Sequence, residues 1–91
     1  MQYRNKKTSY LLKVLGETVK KIRETEVKNS INKLAHGYDL DVGNTSRLEN
    51  GLIEPKFITL WKIAESLNIP LSELIKNIEK EIPKNFNLAE E

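Results

Sequence analysis

Ninety-one residues, 38% of them hydrophobic and with a net charge of +2, supply one compact core and fall short of what two domains need. With no Cys and a single His, the chain has no disulfide framework, no thiolate zinc site and no His-rich metal site, and no cofactor is expected. No apolar run approaches the ~18 residues of a membrane-spanning helix, and the opening MQYRNKKTSYLL lacks the features of a secretory signal, so a cytoplasmic protein with no membrane partner is expected.

Residues 1–8 are polar and basic without periodicity and read as an arm, disordered in isolation. Thr8 or Ser9 can cap a first helix running to about Thr25, with Leu11, Leu15, Val19 and Ile22 as one stripe toward the core. Gly16 costs this helix roughly 1 kcal/mol relative to Ala, though it also allows close packing. Ser30 can then cap a short helix, INKLAH, with Ile31, Leu34 and Ala35 at helical spacing. Gly37, Tyr38 and Asp39 break the periodicity, and Asp41 is a natural cap for a further run, VGNTSRLEN. Gly51 can take the left-handed conformation that stops it. Two short amphipathic runs joined by a tight turn over residues 30–51 make the pattern of a helix-turn-helix.

Pro55 keeps the next helix from starting before it, and Leu60, Ile63, Ala64 and Leu67 give an apolar face to a helix from Phe57 or Ile58 to about Leu67. Trp61, in helical spacing with Ile58 and Ala64, reads as a core or packing residue, and His36 as a surface one. Asn68 closes that helix. Pro70 suits the first turn of a fifth helix, whose apolar side is Leu71, Leu74, Ile75 and Ile78 and which Pro83 ends. The predicted fold class is all-α with five helices: a domain over residues 9–82 and a frayed acidic tail over 83–91.

The ordered series Leu34-Ala35, Leu40, Ser46-Arg47-Leu48-Glu49-Asn50-Gly51, Pro55, Thr59-Leu60, Ile63-Ala64, Leu67 and Leu71-Ser72-Glu73-Leu74 resembles the lambda-repressor-like helix-turn-helix domains, the Cro or xenobiotic-response-element type. The likeness runs from about Leu15 to Ile75 and implies a DNA-binding domain. The chain departs from the usual pattern at Gly37, Asp39 and Gly43, and in the apolar pair Leu52-Ile53, where basic residues are frequent. Its connection before Ser30 is also about one residue longer. Members often start their first helix at the position of Gly16, so both starts stay open here.

At 100° per residue, Thr45 and Leu48 of the second motif helix point inward, which leaves Gly43, Arg47 and Asn50 outward, flanked by Asn44 and Ser46. In the docking geometry of this motif that face enters the major groove. Arg47 can bond guanine O6 and N7 together, Asn44 can read adenine or hold a phosphate, and Val42 can touch a thymine methyl or pack on the turn. Gly43 either lets the backbone approach DNA or only weakens the helix. The helix start at Ser30 and Ile31 offers free N–H groups to phosphate. The resemblance adds Asn50 and Lys56 as backbone clamps, and pairs Arg23 with Glu49 as a structural ion pair. Leu52 and Ile53 are expected either at a dimer contact or folded over the core edge.

Charge is unevenly spread: eight Lys and Arg against three Glu from Met1 to Ser30, four against four from Ile31 to Lys62, and three against six from Ile63 onward. A basic beginning suits phosphate. The expected function is a sequence-specific regulator of transcription, a repressor, binding a palindromic stretch of double-stranded DNA as a homodimer. The alternative is a protein interaction module, such as an antitoxin with a toxin partner and weak DNA binding. No phosphate loop, nucleophile elbow or metal-ligand cluster supports an enzyme.

Overall fold

The computed structural model describes residues 5–89. Helix α1 (Lys6–Ile22) starts at Asn5, whose side-chain oxygen accepts the Thr8 N–H at 2.8 Å. Asn5, Thr8 and Ser9 are all capping residue types, and the earliest of them is used. Lys6 and Lys7, expected in the arm, are therefore helical, while residues 1–4 of that arm lie outside the described residues. Leu15 and Val19 of the expected stripe are buried, with Leu11 and Ile22 packed partly exposed beside them. Gly16 sits in mid-helix and not at a helix start, and a Cβ there would run into the backbone oxygens of Leu48 and Glu49.

Past Ile22 the helix widens into a π-helical turn, Arg23–Val27. Its first carbonyl, Arg23 O, accepts from both Lys28 N and Asn29 N, and Lys28 ends the turn with φ of +58°. An i→i+5 turn holds one residue more than an α turn, so the long connection to Ser30 is taken up without a looser loop.

The motif itself forms as its capping residues dictate. In α2 (Ile31–His36) Ser30 Oγ accepts from Lys33 N at 3.2 Å, and in α3 (Val42–Glu49) Asp41 Oδ1 accepts from Asn44 N at 2.8 Å. Between them Asp39 takes φ of +56°, a conformation that Asp tolerates better than most residues. Tyr38 in the same turn donates its hydroxyl to Glu65 O at 3.3 Å. Gly51, with φ of +73°, stops α3: its N–H bonds Leu48 O and the Leu52 N–H bonds Arg47 O, so two end carbonyls are satisfied. Helices α4 (Phe57–Ser66) and α5 (Leu71–Lys80) are joined through Asn68, at φ of +62°. Pro70 is the cap of α5, one residue before the first turn expected for it.

Helix α1 packs across α3 and α5, α2 against α3 and α4, and α4 against α5. Val19, Leu34, Leu48, Ile63, Leu67 and Leu74 are all but fully buried where they meet. The described residues contain no strand. Two expectations are corrected. Over residues 83–89 the tail is not frayed: Phe86 stacks at a tilt on Tyr10 with centroids 5.7 Å apart, and Lys7 Nζ donates to Ala89 O at 2.9 Å, so this stretch folds over the start of α1. Nor is Trp61 in the core. It is 47% exposed, with Nε1 donating to Glu65 Oε2 at 3.2 Å, because Leu60, Ile63, Ala64 and Leu67 already fill the inward side of α4.

Replacing Gly16 by Ala tests how closely α1 lies on α3. Overpacking is expected to cost about 1–3 kcal/mol, against the ~1 kcal/mol gained in helix propensity. The urea midpoint should fall; an unchanged or higher midpoint would mean that α1 can move away at no cost.

Candidate nucleic-acid interface

Helix α3 divides as its periodicity requires. Thr45, Leu48 and Glu49 are buried, while Val42, Gly43, Asn44, Arg47 and Asn50 are exposed and Ser46 is half-buried. Thr45 Oγ1 donates to Asp41 O at 2.8 Å, which satisfies its hydroxyl inside. On the outer side Arg47 Nη1 donates to Asn44 Oδ1 at 2.8 Å. The Nε–H and Nη2–H groups of Arg47 make no bond among the described residues, so one edge of the guanidinium faces solvent with two parallel donors.

What holds α3 in place is the Arg23–Glu49 pair, predicted by the resemblance and present in bidentate form. Arg23 Nε donates to Glu49 Oε2 at 2.7 Å and Nη2 to Glu49 Oε1 at 2.8 Å, both side chains being buried. Nη1 donates to Asn29 O at 2.9 Å, a contact the sequence reading did not include. The hydrogen bonds to Glu49 raise the Arg23 pKa above its ordinary value; burial opposes this, and the charges of Glu49 and then Glu24 add to the rise. With Glu49 ionised, a raised arginine pKa contributes stability that is lost as pH rises through the arginine range.

The expected phosphate contacts are separate in kind. Ser30 is exposed, and its hydroxyl accepts a helix N–H, which leaves its own proton able to donate outward. Ile31 is half-buried. Asn50 turns its Nδ2 back onto Ser46 O at 3.1 Å, keeping one N–H of the amide for a ligand. Lys56 is exposed at the start of α4, where its side chain makes no cap.

Leu52 and Ile53 part company. Ile53 packs against the core, and Leu52 is 62% exposed. Phe57 and Ile58 are 61% and 63% exposed, and Phe57 meets Trp61 edge-on at 5.8 Å. This outward apolar side of α4 was missed in the sequence reading. Its signal was there: Phe57, Ile58, Leu60, Trp61, Ile63 and Ala64 make α4 apolar nearly all round, which a surface helix with one covered face does not need.

Comparison with known proteins bears on the same elements. A helix-turn-helix family model matches residues 19–74, from within α1 into α5. The chain is 39% identical over 66 residues to control protein C.MunI from a Mycoplasma species, a match that covers 72% of this chain and 89% of that one. The crystal structure of the clp gene regulator ClgR from C. glutamicum superposes with a TM-score of 0.73 at 19% identity, over 82% of this chain and 96% of that one, which speaks for the fold.

The stretch matched by the family model contains both Arg23 and Glu49. Glu49→Ala leaves a buried guanidinium without its carboxylate and is expected to cost on the order of 3–5 kcal/mol. A thermal melt of Glu49→Ala that matches the parent would sink the assignment of α3's position to this pair.

Proposed function

From the premise that the chain belongs to the helix-turn-helix family, the lambda-repressor-like DNA-binding regulators of transcription, we propose that it represses by occupying a palindromic operator as a homodimer. The observation that carries this reading is the division of α3: its inner side is tied to α1, and its outer side leaves Arg47 and Asn44 exposed, on the face that this motif lays in a major groove. Ser30, Ile31, Asn50 and Lys56 are the proposed phosphate contacts, which fix register and carry no base information. Because one copy reaches few bases, specificity calls for two copies on half-sites about 34 Å apart.

Leu52, Phe57, Ile58 and Trp61 supply an apolar surface for the second copy. Of the two positions open to Ile53, a dimer contact or the core edge, it takes the core edge. The same surface supports the second reading, a partner protein such as a toxin bound by a domain that reads DNA weakly. A regulatory role suits a relative named as a control protein. No catalysis is part of either reading. The cytoplasm is its proposed place, and no helix among the described residues is long and apolar enough to cross a membrane.

Selection of bound sequences from random duplex DNA is expected to return a palindrome that Arg47→Ala no longer selects, with affinity falling steeply as salt rises. Sedimentation should give a dimer for the parent and a monomer for Trp61→Lys. Weak binding blind to sequence, with a monomeric parent, would favour the partner-protein reading.

A further inference from the structure

We infer that Asn44 is a positioning residue for Arg47 and not a base reader of its own, so that the pair together selects one guanine in each half-site. The inference rests on the operator reading above and concerns which residue reads. Adenine recognition by an asparagine needs Oδ1 to accept from N6 and Nδ2 to donate to N7. In α3 the Asn44 Oδ1 accepts instead from Arg47 Nη1 at 2.8 Å, a charged donor and so the stronger partner. With Nη1 held, the Nε and Nη2 edge is aimed and unspent. Arg23 shows what this edge does in the same protein when two acceptors stand side by side, gripping both oxygens of Glu49 at 2.7 and 2.8 Å. Guanine O6 and N7 are such a pair of acceptors.

Gly43 lies beside the arrangement: a Cβ on it would be 3.4 Å from Arg47 Nη1 and 3.9 Å from Cζ, ordinary contact distances. The same point is 3.2 Å from Asp41 Oδ1, whose position is fixed by the Asn44 N–H it accepts. Arg47 gives up much of its rotamer freedom before DNA arrives, which lowers the entropy lost on binding.

The test is a base-by-base preference profile for the parent, Arg47→Ala, Asn44→Ala and Asn44→Asp, each checked for fold by circular dichroism. Asn44→Asp keeps the acceptor and removes the donor. It is expected to retain the parent's guanine preference while its added charge weakens all sequences alike. Asn44→Ala should lose about tenfold of the discrimination at the column that Arg47→Ala flattens, and at no other. An adenine column that both Asn44 variants flatten, with the guanine column intact, would overturn the inference and leave the operator reading standing. A parent that selects no motif would overturn both.

Discussion

The ion pair between Arg23 and Glu49 is the contact on which the placement of the other elements depends. Two charges leave water at the junction of α1 and α3, and their desolvation is repaid because both oxygens of the carboxylate and all three nitrogens of the guanidinium are engaged. The third nitrogen reaches Asn29 O, so one side chain fastens the end of α1, the entry to α2 and the last turn of α3. The π-helical turn belongs to the same junction. Arg23 supplies the carbonyl that takes the N–H groups of Lys28 and Asn29, and the wider turn brings the chain back to the guanidinium it has just passed.

Two glycines let this junction close. Gly16 presents no side chain to the carbonyls of Leu48 and Glu49, and a Cβ on Gly51 would lie 2.9 Å from the Cα of Lys13. The first is needed for backbone to lie against backbone; the second is needed as well for its left-handed φ. Helix α1 is thereby pressed on the end of α3 from the side opposite to Asn44 and Arg47. The exposed side of α3 is set by contacts made entirely behind it.

Local chemistry made most of this readable in the sequence. Ser30, Asp41 and Gly51 each act within a few residues of themselves, and a 100° step places Thr45 and Leu48 inside without knowledge of any partner. Arg23 and Glu49 lie 26 residues apart, and the resemblance to a family, not periodicity, brought them together. What escaped was non-local or a choice among equals. Asn5, Thr8 and Ser9 can all cap, and the sequence alone does not rank them. The tail is held through Tyr10 and Lys7 at the other end of the chain, and no short window of sequence contains both partners. Trp61 has the spacing of a core residue, but the inward side of α4 was already full.

The same division of α3 bears on how such a protein changes over generations. On the proposed operator reading, positions 43, 44, 46 and 47 lie where substitution alters what is read and leaves the inner contacts alone, so that reading puts a new operator within reach of single replacements. Positions 23 and 49 are tied to each other: either change alone strands a buried charge, and only a paired change is tolerated. On that reading specificity drifts on one side of a single short helix while the other side stays fixed.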